Sequence, residues 1–294
     1  MDLHQLTTIF CEIDDFCKEF DKQIDARALP ATTVKNKRGP KCCLSDSEIM
    51  MILIMFQSSR VRDFKNFYLL SLSVFYKDLF PKLTSYTRFV SIMNRAILPL
   101  ILFIQSKSGE RTGIYYADSS CFPTCHIKRS RRHKTFRGIS EYGSTSVDWF
   151  FCLKLHLVIN HQGQLINFKI TKGARSDCKE VESLVKSLQG LLFGDKGYIS
   201  KKLFDTLFSN GLKLITRQRK NMKQKIILND HEKQLLDQRG IIETVIGHLK
   251  HHFQIWHTRH RSPLNAMTHL ISSLADYVIE PLKLSAIKMI ASCS

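Results

Sequence analysis

The spacing of the apolar residues changes near residue 113 and divides the chain into two kinds of structure. Before this point, apolar positions recur at helical spacing, as in residues 3–26. After it, short apolar runs alternate with amphipathic stretches, which is typical of strands that alternate with helices. The pattern predicts an α/β protein, with an all-helical domain over residues 1–108 followed by a mixed sheet flanked by helices over 109–294.

Local signals predict several boundaries within this division. Ser45, followed three residues later by Glu48, indicates a capping box that opens a buried helix over residues 49–56. The segment 29–40 contains Pro, Thr and Lys and indicates a basic linker. A hairpin is predicted across residues 160–163, between strands over 148–160 and 164–171. Further helices are predicted over 177–188, 201–209, 232–254 and 263–290, further strands over 114–117, 191–193 and 213–216, and a basic loop over 217–225.

The chain is strongly basic. Its 44 Lys and Arg residues outnumber 26 Asp and Glu, for a net charge of +18. The basic residues cluster at 35–41, 128–134, 217–225 and 248–261. This balance favours binding to nucleic acid or to an anionic membrane surface, with a merely soluble basic surface as the alternative.

Membrane insertion and secretion are not expected from the sequence. The apolar runs at 49–56 and 97–104 are shorter than the roughly 20 residues that span a bilayer, and the N-terminus lacks the pattern of a signal peptide. Nine cysteines without a disulfide spacing favour a reducing cytoplasm. No zinc site is predicted, because the cysteines lack a matching second pair and the histidines lack a carboxylate or cysteine partner in the sequence. These histidines are His248, His251, His252, His257 and His260, which we expect to be solvated or to face DNA.

Three carboxylates stand in apolar surroundings. Asp118 follows the run 113–117, Asp195 follows 191–194, and Glu243 lies in an amphipathic helix. Open α/β sheets bind ligands at strand ends, and converging carboxylates require a cation to neutralise their repulsion. Each residue also has a plainer interpretation: a turn or helix N-cap for Asp118, an ordinary turn for Asp195, and a solvated ion pair with Arg239 for Glu243.

The helix that carries Glu243 has two distinct faces. Arg239, Glu243 and Lys250 fall within one narrow stripe, because their spacing of 4 and 11 residues returns to the same side of a helix. The apolar face is predicted to be buried; it consists of Ile242, Val245, Leu249 and Phe253. A basic protein with an acidic metal site suits a polyanion that is bound by its phosphates and cut by hydrated metal ions.

In order and spacing, these residues resemble the DDE triad of bacterial insertion-sequence transposases. Asp195-Lys-Gly-Tyr198 is similar to the Asp-x-x-Tyr signature that follows the second carboxylate. Arg239-x3-Glu243-x6-Lys250 matches the spacing of the third motif. The whole chain is most similar to insertion-sequence family 982, although Leu236 stands where the related wider signature has Tyr.

The resemblance implies a ribonuclease H-like catalytic domain behind a helical domain that binds the DNA ends. It assigns Asp118, Asp195 and Glu243 as catalytic residues and ligands of two Mg²⁺ or Mn²⁺ ions. It assigns Arg239, Lys250 and Tyr198 to DNA binding. It also relates Asp177 to a His-Asp element of the family, although Asp177 equally suits a helix N-cap.

The expected activity is that of a metal-dependent transposase, which is a polynucleotidyl transferase and endonuclease. Such an enzyme would bind the terminal repeats of its element, cleave the DNA and transfer the 3′ ends to target DNA. Its expected partner is double-stranded DNA in the bacterial cytoplasm, associated with the nucleoid, and on DNA we expect a homodimer. Two alternatives are a non-catalytic DNA-binding repressor derived from a transposase and a metal-dependent nuclease that does not transfer strands.

Overall fold

The structure is a computed structural model that describes residues 2–27, 43–144, 149–218, 227–253, 255 and 260–280. The predicted linker over 29–40 and most of the predicted loop over 217–225 lie outside these residues. The helices are α1 (Leu3–Arg27), α2 (Asp46–Ser58), α3 (Phe64–Asn66), α4 (Ser73–Phe75), α5 (Tyr86–Ile92), α6 (Ile97–Ser106), α7 (Asp177–Leu184), α8 (Lys201–Ser209), α9 (Asp230–Asp237), α10 (Gly240–His251) and α11 (Pro263–Ile279). The strands are β1 (Ile114–Cys125), β2 (Glu141–Ser144), β3 (Trp149–Asn160), β4 (Leu165–Lys172), β5 (Gly190–Gly194) and β6 (Leu212–Thr216).

The chain forms two compact units. One contains Met1–Ser106 and Ser262–Ile279, and the other contains Lys107–Arg261 and Glu280–Ser294. The division differs from the predicted boundary at residue 108, because α11 groups with the N-terminal helices. Helical periodicity identifies the apolar face of α11 but not the element that covers it.

Within the helical unit, α11 packs against α2 and α6. Ser45 and Glu48 form the predicted capping box at the start of α2. At the other end of this helix, the Gln57 side chain donates to Ser272 Oγ at 2.8 Å and the Ser58 hydroxyl donates to Asp276 at 2.7 Å. These buried polar contacts fix α11 against α2, because a buried polar group without a partner costs about 1–3 kcal/mol.

One continuous helical segment in this unit, Tyr86–Ser106, is long and apolar enough to cross a membrane by length and composition, with a mean hydropathy of 1.6. The sequence indicated a shorter apolar run because the 3-10 turn Met93–Ala96, which joins α5 to α6, is more polar. Core helices of globular domains have the same composition. Phe89, Ala96 and Leu100 of this segment are fully buried in the structure.

The second unit is built on one mixed sheet with the strand order β2-β3-β1-β5-β6, and β4 also pairs with β3. β1, β2 and β4 each pair antiparallel with β3, whereas β1, β5 and β6 run parallel to one another. β2 and β4 lie end to end along one edge of β3, because β2 pairs with Trp149–Cys152 and β4 with Leu153–Ile159. With helices on both faces, this arrangement confirms the predicted fold class, an all-helical region followed by a ribonuclease H-like mixed sheet.

Several predicted elements require correction. β1 continues to Cys125 instead of ending at residue 117, because β3 pairs with the polar residues that follow the apolar run. β2, which begins at Glu141, was not among the predicted strands. The helix predicted over 232–254 is two helices, with a break at Gln238 and Arg239. The predicted hairpin is confirmed, and Gly163 adopts a positive φ of 78° in its turn.

The two faces of β1 contact different helices. Tyr115 and Ala117 belong to the buried cluster that contains the apolar residues of α7 and α8. Tyr116 points to the opposite face, where its hydroxyl donates to the carbonyl of Leu235 in α9 at 3.1 Å. Because alternate residues of a strand share a face, Asp118 lies on the same side as Tyr116.

Candidate active site

Asp118 lies in the middle of β1, where Leu157 of β3 is its cross-strand partner. The predicted placement of this residue at a strand end is therefore wrong, and so is its interpretation as a turn or an N-cap. The backbone N–H of Ser119 donates to Asp118 Oδ1 at 2.7 Å, and the carboxylate is 23% exposed. A partly buried carboxylate in a rigid strand is well oriented to bind a ligand, because its rotamers are limited by its neighbours.

Asp195 follows β5 directly, as predicted, and is exposed. The parallel pairing of β1 with β5 joins Ile114 to Leu191 and Tyr116 to Phe193. The same offset of 77 residues, continued two residues beyond the last pair, places Asp195 opposite Asp118. Because neighbouring strands are about 4.8 Å apart, the register brings the first two carboxylates to adjacent positions.

Glycine occurs at both ends of β5, at positions where a side chain would meet close neighbours. Gly190 has a φ of +110°, and a Cβ there would lie 2.2 Å from the carbonyl oxygen of Gly113. At the other end of β5, a Cβ on Gly194 would lie 2.9 Å from the ring of Tyr198. Both ends of the strand that positions Asp195 therefore leave no space for a larger side chain.

Arg239 connects the third carboxylate to the first. It is the N-cap residue of α10, and its guanidinium donates to the carboxylate of Glu243 one turn later. The same guanidinium lies 3.9 Å from Asp118 Oδ2. Arg239 is only 13% exposed and Glu243 is 56% exposed. The pair differs from a solvated surface ion pair because its cation is largely buried beside a second acid.

The three carboxylates interact electrostatically. Burial raises the pKa of Asp118 from its ordinary value of 3.8 to about 6. The hydrogen bond from Ser119 and the charge of Arg239 oppose this increase in pKa, whereas the negative charges of Glu243 and Asp195 add to it. A bound cation would lower the pKa of this carboxyl group again, because an opposite charge favours the ionised form.

The donor set consists of three carboxylates on neighbouring elements, which fits divalent metal ions that prefer oxygen ligands. Among the described residues, the carboxylate oxygens of Asp118, Asp195 and Glu243 do not all lie within 4.8 Å of one another. Asp118 interacts electrostatically with both of the other acids.

The two remaining residues with a predicted role in DNA binding are more buried than expected. Lys250 borders a small cavity together with Ser120 and Cys121 of β1, and burial lowers its pKa while the charges of Cys121 and Asp118 oppose that decrease. Tyr198 is 3% exposed and belongs to the core that contains α7 and α8. The role of Tyr198 in DNA binding stays a prediction, and in this conformation its ring packs in the core and does not face solvent.

A family model described as "Transposase DDE domain" matches residues 108–263, which is just over half of the chain. The chain belongs to this transposase family. The matched region includes β1, β5 and α10, and so contains all three carboxylates of the site.

The transposase is also similar to two solved structures. One is a piggyBac transposase synaptic complex with hairpin DNA, at 12% identity and a TM-score of 0.48 over 98% of this chain and 78% of that chain. The other is a pre-cleavage Mos1 transpososome, at 11% identity and a TM-score of 0.28 over 90% of this chain and 86% of that chain. Both TM-scores are below 0.5, so these similarities are weak. A sequence search of curated proteins gives no significant match.

A second polar cluster in the transposase was not predicted. Asp177 begins α7, where its carboxylate accepts from Lys154 Nζ at 3.1 Å and lies 3.4 Å from His156 Nδ1. Burial lowers the pKa of His156 to about 4, and its Nε2 lies 2.8 Å from Thr171 Oγ1. The contacts of Asp177 thus link α7 to β3, and Ser176 occupies the N-cap position in its place. The signal in the sequence is Lys154 and His156 at alternate positions of an apolar strand, which puts both on one face.

Proposed function

We propose that this transposase binds the terminal repeats of a DNA element, cleaves at them and transfers the 3′ ends to target DNA. The observation that carries the proposal is the position of Asp118, a partly buried acid on the central strand that interacts with both Asp195 and Glu243. Although Arg239 lies beside this acid, the pKa of Asp118 remains raised, so a further cation bound by the three acids would stabilise the folded protein. A role in catalysis therefore explains the position of Asp118 better than a role in packing the core does.

The ligands of the proposed metal site are all carboxylate oxygens, which favour Mg²⁺ or Mn²⁺ over zinc. Asp118, Asp195 and Glu243 would together hold the ions, of which we expect two. When bound, two such ions supply a nucleophile activated for attack on phosphorus and a counter-charge for the leaving oxygen. The protein contributes the fixed separation of the three acids, which the β1–β5 register and the start of α10 determine.

Arg239 and Lys250 are the proposed phosphate ligands beside the carboxylates. Arg239 pairs with Glu243 and lies beside Asp118, so a bound phosphate and bound ions would replace these partners. Lys250 lies on the Asp118 side of α10, where the negative charge of Asp118 opposes the decrease in the pKa of Lys250 that burial causes. Together they would hold the scissile strand, as phosphate contacts set the register of a protein on DNA.

The DNA is proposed to contact basic surfaces outside the site as well. The 3-10 helix Ile127–Arg132, which follows β1, exposes four basic side chains; these are Lys128, Arg129, Arg131 and Arg132. We further propose that the helical unit binds the terminal repeats, that the transposase acts as a homodimer on DNA, and that it works in the bacterial cytoplasm on an element of insertion-sequence family 982. The net charge of +18 supports DNA as the partner.

The experiment that tests this proposal uses the whole chain, Mg²⁺ and a plasmid carrying the inverted repeats that flank the reading frame. Cleavage at the repeats followed by joining of 3′ ends to a second plasmid is the expected result. Cleavage without joining would identify a nuclease. Specific binding without either reaction would identify a repressor, which the three intact carboxylates do not favour. Asp205→Asn, on the exposed side of α8, is the matched control for substitutions of the acids.

A further inference from the structure

A second group of potential metal ligands lies at the far end of α10. His248 and His252 are one helical turn apart, and Glu280 is the residue that follows α11. Among the described residues, these three form the group of His, Cys, Asp or Glu side chains whose potential ligand atoms all lie within 4.8 Å of one another. The sequence prediction that these histidines lack a carboxylate partner is therefore wrong for His248 and His252, because Glu280 is distant in sequence but close in space.

The geometry of the group is close to that of a metal site. His248 Nε2 lies 3.1 Å from Glu280 Oε2, and His252 Nε2 lies 4.0 Å from Glu280 Oε1. The two imidazole rings are stacked, with centroids 4.6 Å apart. Zinc bonds of about 2.0–2.1 Å in a tetrahedral arrangement separate the ligand atoms by about 3.3 Å, so small rotations of these side chains would suffice.

The surroundings of the group orient the two rings. Phe253 is buried and contacts both imidazoles edge to face, at 5.1 Å from His248 and 4.8 Å from His252. All three polar side chains are between 21% and 26% exposed, which leaves room for a water ligand. Two histidines four residues apart on one helix face are a common metal-binding arrangement, and the C-terminal end of a helix favours a cation.

We infer that His248, His252 and Glu280 bind one zinc ion, with water as the fourth ligand. This site differs in chemistry from the carboxylate site, because two imidazoles and one carboxylate select zinc or a similar transition ion, whereas carboxylates alone select Mg²⁺. The bound ion would fix the last turn of α10 to Glu280. It would therefore stabilise α10, which has Arg239 as its N-cap and Glu243 in its first turn, without taking part in the reaction.

The test measures zinc binding and not activity. The whole chain is stripped of metal, kept reduced, and titrated with ZnCl2 alone in the presence of excess Mg²⁺, which occupies the carboxylate site. We expect one zinc ion per chain. His248→Gln, His252→Gln and Glu280→Gln should each weaken zinc binding. The loss should exceed the change of about 10–100-fold that follows when a residue that only supports a ligand is replaced. His251→Gln is the matched control, because His251 is exposed on the same helix turn and lies outside the group.

Titration with Co²⁺ provides a second measurement. Cobalt bound by imidazole and carboxylate gives visible ligand-field bands, and these should disappear in the three variants and persist in His251→Gln. Three single variants keep the test decisive if one of them fails to fold. The inference is overturned if the whole chain binds no zinc under these conditions. It is equally overturned if the three variants bind zinc as tightly as the unchanged protein, which would assign the metal to the cysteines.

Discussion

The guanidinium of Arg239 lies 3.9 Å from the carboxylate of Asp118, across the space between α10 and β1. Arg239 also binds Glu243, so it supplies the positive charge for two acids of the proposed metal site. In the proposed site, bound metal ions would therefore compete with this side chain for the same carboxylate oxygens. The competition would end when a DNA phosphate became the partner of Arg239.

This competition gives the first prediction. Arg239→Gln should bind Mn²⁺ several-fold more tightly than the unchanged protein in the absence of DNA, because a cation about 4 Å from a bound ion opposes its binding. The same variant should join 3′ ends less efficiently, because a phosphate ligand is lost. Mn²⁺ titration and a joining assay measure the two effects. Arg217→Gln is the control, because Arg217 pairs with the exposed Asp237; weaker Mn²⁺ binding by Arg239→Gln would contradict the competition.

The second prediction concerns the three acids. Asp118→Asn, Asp195→Asn and Glu243→Gln should each reduce Mg²⁺-dependent cleavage by several orders of magnitude and leave DNA binding largely intact, because each change removes a ligand but no core contact. Nicking of a plasmid that carries the terminal repeats measures the loss, with Asp205→Asn as the control. A variant that retains nearly full cleavage would remove its residue from the metal site.

The third prediction follows from the raised pKa of Asp118. The folded protein holds a proton on this acid up to about pH 6, whereas the unfolded chain releases it near pH 3.8. The resulting contribution to stability is fully present below pH 3.8 and is lost as the pH rises through 6. Asp118→Asn should therefore stabilise the metal-free protein by about 1–2 kcal/mol at pH 7.5, a value reduced for the partial exposure of the side chain, and have little effect at pH 4.

Urea unfolding in EDTA at both pH values measures this difference in free energy. Asp205→Asn should show no comparable change at either pH. Adding Mn²⁺ should reverse the order at pH 7.5, because only the unchanged protein gains stability from the bound ions. A destabilised Asp118→Asn protein at pH 7.5 without metal would show that Arg239 already neutralises Asp118 fully.

Contacts between residues close in sequence were predictable from their spacing, whereas most contacts between distant residues were not. The Ser45–Glu48 capping box, the hairpin at Gly163 and the Arg239–Glu243 pair all follow from spacing within one element, and all three are present. The packing of α11 against α2 was not predicted, because helical periodicity identifies a buried face but not the element that packs against it.

The candidate site shows the same distinction. The mid-strand position of Asp118 was missed, because the ladder with β3 continues the strand through residues whose polarity indicated its end. Glu280 was missed as a partner of His248, because 32 residues separate them along the chain. Asp177 was linked to a family motif, but its actual partners, Lys154 and His156, lie on another element. Each of these contacts depends on tertiary structure that local patterns do not contain.

The fourth prediction tests the basic 3-10 helix Ile127–Arg132. Replacing Arg129, Arg131 and Arg132 together with Gln should lower the affinity for duplex DNA and reduce the slope of log affinity against log salt by about 0.9 for each lost phosphate contact. Binding to terminal repeats and to unrelated DNA should weaken alike, because phosphate contacts carry no sequence information. Lys201→Gln with Lys202→Gln, exposed at the start of α8, is the control. An unchanged slope would place the DNA elsewhere.

The last prediction concerns Lys250, which borders the cavity beside Cys121 and interacts with Asp118. Lys250→Ala should lower strand transfer more than it lowers the free energy of unfolding, because the side chain is proposed to hold a phosphate of the cut end. Lys250→Arg should restore transfer only in part, since a planar guanidinium cannot occupy the place of a compact ammonium in a confined space.

End-joining yields at low and high salt, together with urea unfolding, separate this role from a surface one. The loss in Lys250→Ala should persist at high salt, because the ammonium is half-buried and its interactions are screened less than those of an exposed charge. Lys233→Ala is the control, since Lys233 is an exposed lysine paired with Asp230 on α9. Equal joining by Lys250→Ala and the unchanged protein at both salt concentrations would remove Lys250 from the site and leave Arg239 as the proposed phosphate ligand on α10.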